Sequence, residues 1–150
     1  MLMRRAQKGF SLIESLFAVF LVAVAASIIV ASLPLANSSR ARADLLNRAT
    51  NIAQKQLEAI KSQGYANING TRLFEVGLLD SPTPDGSGRF SFTNTDNAFW
   101  DAPSQVLPSG RGFVTITQVR VDLIKVTVQV TWVDRGINKE VTLSTYLANF

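Results

Sequence analysis

The chain has 150 residues, 15 Lys and Arg against 11 Asp and Glu, no histidine and no cysteine. The missing histidine and cysteine remove the commonest general base, the usual transition-metal ligands, thiol nucleophiles and any disulfide, so no catalytic site and no cofactor is expected. Arg4, Arg5 and Lys8 precede Phe10, and beyond them twelve cations face eleven acids, too even a balance for a global field that would draw in nucleic acid or acidic lipid.

The first element is an apolar run. From Phe10 to Ser39 one charge occurs, Glu14, so the stretch exceeds the roughly 20 residues a helix needs to cross a bilayer core. A carboxylate in such a helix costs about 2.5 to 3.5 kcal/mol at its centre and calls for a partner. If the chain is cut after Gly9, the new ammonium of Phe10 lies four residues before Glu14 and at nearly the same depth. The two would then attract, within one chain or between neighbours. Three simpler readings fit less well. A secretory signal has an apolar core of about 7 to 15 residues, shorter than this run, and the nearest site after Ala36 would leave Pro34 and Leu35 before the cut. A lipoprotein signal needs a cysteine. A plain signal anchor accounts for the length and the flanking cations but leaves Glu14 and the Gly9–Phe10 junction unexplained.

On Gly9, Phe10, Ser11, Leu12, Ile13 and Glu14, followed by small and aliphatic residues to Ala31, the chain resembles the type IV pilin superfamily of pilins, minor pilins and the pseudopilins of type II secretion. That resemblance implies a prepilin peptidase that cuts after Gly9 and methylates the Phe10 amine. It also implies a filament in which Glu14 meets the Phe10 amine of an adjacent subunit, and an inner-membrane assembly platform as partner. The stretch from Val126 through Thr131, Trp132 and Asp134 to Val141, Leu143, Thr145, Tyr146 and Leu147 is similar to the minor pilins called pilus modification proteins and to small minor pseudopilins. Many pilins staple their C-terminal region with a disulfide, which this chain cannot form.

Within the apolar run, Ser15, Ala18, Ala25, Ala26 and Ser27 are small residues at which helices approach closely. Pro34 lacks an amide donor and is expected to kink the helix. From Arg40 to Gln63 the pattern turns amphipathic, with Leu45, Ala49, Ile52, Ala53, Leu57 and Ile60 at steps of three and four, and Gly64 is a natural stop. Joined across Pro34, the two segments make a helix of a little over 50 residues, roughly 80 Å long. Tyr65 to Gly112, rich in Gly, Pro, Asn, Asp and Ser, reads as a long, partly irregular connection. Phe90 to Phe92 is a candidate short strand and Phe113 to Val121 a further one. Val126, Val128, Val130 and Trp132 alternate with Lys125, Thr127, Gln129 and Thr131, and after a turn at Asp134 to Asn138 the residues Val141, Leu143, Thr145 and Leu147 alternate again, which predicts a hairpin.

The expected fold is α+β: a long N-terminal helix, its second half packed on a small antiparallel sheet. The expected parts are a cleaved basic leader, residues 1–9, a transmembrane or filament-core helix, residues 10–39, and a head domain, residues 40–150. Cations held at the cytoplasmic side would put the head outside the cytoplasm. The function expected is that of a minor pilin or pseudopilin. The alternative is a receptor head binding DNA or another surface ligand, for which Arg72, Arg89, Arg111 and Arg120 with Phe99 and Trp100 are the candidate stacking and phosphate-binding groups. Asp80, Asp85, Asn94, Asp96, Asn97 and Asp101 offer oxygen ligands for calcium, but without the ordered spacing of a calcium loop they read first as Asx turns.

Overall fold

A computed structural model describes residues 11–95 and 101–149, and residues 33–37 by their backbone alone. Gly9, Phe10, the basic leader, Asp96, Asn97, Phe99 and Trp100 lie outside the described residues. The chain divides into two compact units, Met1–Ala41 and Arg42–Phe150.

One helix, α1 (Leu12–Ser62), begins in the first unit and ends in the second, and its backbone stays helical through Pro34. In the first unit, every described side chain from Ser11 to Ser32 is exposed. In the second, Ala49, Ile52, Ala53 and Ile60 are buried, and Leu45 and Leu57 pack partly buried beside them. Gly64 follows the helix at φ +77°, a left-handed conformation that glycine adopts without steric cost and that ends helices.

The sheet is an antiparallel meander, β1 (Phe90–Ser91), β2 (Arg111–Arg120), β3 (Leu123–Asp134) and β4 (Ile137–Ala148), in that spatial order. On β3 the alternation is complete: Val126, Val128 and Val130 have no exposed surface and Trp132 is 4% exposed. These residues and Val114 of β2 face the α1 stripe in one core cluster. Each buried aliphatic side chain contributes roughly 1.5 to 3 kcal/mol of transfer free energy, so helix and sheet stabilise each other. The β3–β4 hairpin closes on Arg135 and Gly136, at φ 52° and 79°, the double positive φ of a two-residue turn whose twist matches its strands. An ion pair from Arg42 Nε to Asp134 Oδ2, 3.4 Å, ties the helix to this turn.

The connection from Tyr65 to Gly112 carries more structure than its composition suggests: a 3-10 turn at Tyr65–Asn67, a short helix α2 (Gly70–Glu75) and a single-turn helix α3 (Pro103–Val106). Asn69 caps α2 by accepting the Arg72 N–H at 2.8 Å, and Pro103 opens α3 at a position where no amide is needed. Phe92 extends β1 by donating its N–H to Gly112 O at 2.9 Å. Its fully buried ring lies where a Cβ on Gly112 would stand. Only glycine fits there.

One polar side chain sits in the apolar stripe. Gln56 is fully buried and donates from Nε2 to Leu78 O at 2.6 Å, while its Oε1 has no hydrogen-bond partner among the described residues.

Candidate assembly site

The apolar part of α1, Leu12–Ser32, is 21 residues long and none of its residues is buried. Beyond its first turn, a helix pairs its backbone groups inside the segment, as an apolar surrounding would demand. The hydroxyls follow the same rule. Ser15 Oγ donates to Ser11 O at 3.4 Å, Ser27 Oγ to Ala23 O at 2.8 Å and Ser32 Oγ to Ile29 O at 2.7 Å. What remains is Glu14, the one charge of the segment, in the first helical turn. Its side chain is exposed and forms no ion pair among the described residues. An acid in the first turn faces the positive end of the helix dipole, which favours the carboxylate by about 0.3 to 1 kcal/mol, less than the cost of placing it in lipid.

In the head domain the structure separates the candidate nucleic-acid groups. Arg72 pairs with Glu75 at 3.0 Å. Arg89 is held by the Asp85 carboxylate at 3.1 Å from Nε and 2.9 Å from Nη2, and its guanidinium lies 4.3 Å from the centre of the Phe113 ring. Arg111 and Arg120 open and close β2, which sets them roughly 30 Å apart. Arg89, Arg111 and Phe113 therefore share one open cavity of about 570 Å³ with Lys139, Gln129 and Glu140, and Arg72 and Arg120 lie outside it. Lys139 is the member that spacing alone did not reveal. It enters from the rim: the register Trp132↔Lys139 sets it on the face of the inward-facing Trp132, whereas Arg111, Thr131 and Glu140 share the other face.

The acidic loop residues have their own donors. Asp80 accepts from Thr95 Oγ1 and Ser91 Oγ at 2.6 Å each and from the Asn94 N–H at 3.1 Å. Asp85 accepts the amides of Ser87 and Arg89. The Arg89 amide holds the Asp85 carboxyl below the usual carboxylate range, partial desolvation opposes it, and the Arg89 guanidinium and the Ser87 amide add to the lowering. These are the bonds of Asx turns, and both carboxylates serve to fold the loop.

Residues 4–30 match the family described as the prokaryotic N-terminal methylation motif. No curated protein and no solved structure shows significant similarity to the chain. The motif spans the run from the basic residues through Gly9, Phe10 and Glu14 into the exposed helix, and the head that follows is the expected arrangement of a helix and a four-stranded antiparallel sheet. Residues 4–30 therefore carry a prokaryotic N-terminal methylation motif at the start of an exposed apolar helix.

Proposed function

We propose that this protein is a minor pilin or minor pseudopilin, a subunit stored in the inner membrane and then incorporated into, or priming, a type IV pilus-like filament. Prepilin peptidase cuts between Gly9 and Phe10 and methylates the new amine. The parts are the leader 1–9, the membrane and filament-core helix 10–39 and a head, residues 40–150, outside the cytoplasm. The observation that carries this reading is Glu14: one carboxylate without an ion-pair partner among the described residues, in the first turn of an exposed, otherwise uncharged helix, inside the methylation motif. The Phe10 ammonium of a neighbouring subunit supplies its partner once the two helices pack.

The test separates storage from assembly. Glu14→Ala removes a costly charge from the apolar segment, so membrane insertion should equal or exceed wild type, by up to about 3 kcal/mol. Cleavage should survive, since the scissile bond precedes Phe10. Incorporation should fail, because leaving one member of a buried pair unpartnered costs about 3 to 5 kcal/mol. Fractionating cells into membrane and sheared filaments reads both. Normal filament content of the variant would remove Glu14 as an inter-subunit contact, and a mature protein that still starts at Met1 would remove the processing step.

A second reading, a receptor head for DNA or another ligand, draws support from the cavity that holds Arg89, Arg111 and Lys139 beside Phe113. Arg111→Ala with Lys139→Ala should then abolish uptake or adhesion while leaving filaments intact. Filament loss in that variant would favour the structural role.

A further inference from the structure

The outer face of the sheet, turned away from the α1 stripe, holds charges that do not neutralise one another. Arg111, Thr131 and Glu140 form one row across β2, β3 and β4, which sets Arg111 and Glu140 about 10 Å apart at the backbone. The Arg111 side chain has no hydrogen bond or ion pair among the described residues. Gln129 Nε2 donates to Glu140 Oε2 at 2.7 Å, which leaves Oε1 of that carboxylate open. Arg89 differs, because Asp85 holds its charge and its guanidinium covers one face of the Phe113 ring. Between Arg111 and Glu140 the floor of the cavity is Thr131 and Gln129, polar and uncharged.

These groups restrict what fits. A ligand has to answer a free guanidinium and a free carboxylate oxygen at once, over hydroxyl and amide groups. A nucleic-acid backbone brings negative charge and acceptors, so it suits Arg111 and is repelled by Glu140. A peptide anchors through an apolar or aromatic side chain in a pocket, and the floor between the two charges offers none. A sugar hydroxyl both donates and accepts, so a polyhydroxylated ligand serves Glu140 and Gln129 as donor and Asn138 as acceptor. A carboxylate on the same ligand matches the guanidinium fork of Arg111. One wall of the cavity is Ser109 at φ 51°, which with Arg135 of the hairpin turn makes up the described non-glycine residues in the left-handed region. Such conformations are held by their surroundings and collect at ligand sites.

We propose that this cavity of about 570 Å³ binds an acidic saccharide, a polyhydroxylated ring that carries a carboxylate, as in the uronic acid units of a polysaccharide. Arg111 holds the carboxylate, Glu140 Oε1 and Gln129 Oε1 accept ring hydroxyls, and the Asn138 amide donates. This ligand class deepens the receptor reading above and rests on it.

The experiment titrates the full chain, in a polyoxyethylene detergent that presents no sugar, with trigalacturonate, neutral maltotriose, a short oligothymidylate and an acidic tripeptide, by calorimetry. Trigalacturonate should bind about tenfold more tightly than each of the others. Arg111→Gln should lower its affinity about tenfold, to the level of maltotriose, and leave maltotriose unchanged. Glu140→Gln should weaken both saccharides about fivefold, because a neutral acceptor replaces an ionised one. Thermal unfolding of both variants checks that they fold. No binding of trigalacturonate, binding untouched by either substitution, or oligothymidylate or tripeptide bound as tightly as trigalacturonate would overturn the proposal. Cells carrying Arg111→Gln separate the two readings. Adhesion and uptake intact although the variant has lost trigalacturonate binding would sink the receptor reading alone, whereas adhesion or uptake lost while the wild-type chain ignores trigalacturonate would sink the saccharide site alone.

Discussion

The two halves of α1 share a backbone conformation and an apolar character, and they differ in who covers them. Along Leu12–Ser32 apolar residues surround the axis, and Leu12, Ile13 and Val19 are each at least 70% exposed. Along the second half the apolar residues keep to one stripe, and Ala49, Ala53 and Ile60 have no exposed surface. A stripe can be covered by one sheet of the same chain. A helix that is apolar all round needs lipid or other helices. Hydrophobicity alone therefore does not mark the core of this protein; the angular width of the apolar surface does.

The sharpest way to break this comparison is to separate the halves. If the second half and the sheet are sufficient, a fragment lacking residues 1–39 should leave the membrane fraction completely, stay monomeric at low concentration and unfold cooperatively. Aggregation or a non-cooperative melt would show that the first half supports the head. Point substitutions refine the contrast. Trp132→Ala should destabilise the head by roughly 3 to 5 kcal/mol, while Leu16→Ala in the exposed half should change it by less than about 0.5 kcal/mol. Urea unfolding monitored on the head measures both, and similar effects would erase the distinction.

Gln56 tests whether the stripe must be apolar throughout. Gln56→Leu gives up the bond to Leu78 O but also removes the buried Oε1, so the two effects offset and the net change should stay within about 1 kcal/mol. A much larger loss would mean that the amide organises the connection below it. The smallest effect belongs to Asp85. Its carboxyl titrates lower when folded than when unfolded, so its contribution is present above the unfolded value near pH 4 and fades as pH falls through the folded one. Asp85→Asn should flatten stability against pH in that acidic range only, in a set of unfolding curves from pH 2 to 7.

Most of the frame was legible in the sequence because long elements repeat their signal. Six apolar positions from Leu45 to Ile60 mark the α1 stripe, and the alternation of Lys125 to Trp132 marks β3. Even the two-residue β1 falls inside the candidate Phe90 to Phe92. The helices α2 and α3 escaped because six and four residues are too few to repeat a period of 3.6. They are held by contacts remote in sequence, such as Gln56 with Leu78 and Asp80 with Thr95. Gln56 was missed although it lies three residues after Ala53 and four before Ile60; its spacing was the signal and its polarity hid it. Glu14 stood out because its surroundings are uniform, whereas the grouping of Arg111 and Phe113 with Gln129 and Glu140 depends on strand register, which no local pattern reveals.

The serines of the exposed helix bear on movement between phases. Ser15, Ser27 and Ser32 each spend their hydroxyl proton on a carbonyl three or four residues back, so none relies on water, headgroup or neighbour. Such a segment brings its own solvation along. On the proposed passage from lipid into a filament, its three hydroxyls would have no hydrogen bond to break on leaving and none to find on arrival, which leaves the single carboxylate. If the proposed assembly holds, the energetic step of that passage is concentrated at one residue, Glu14, a latch on a segment otherwise indifferent to which side of the boundary it occupies.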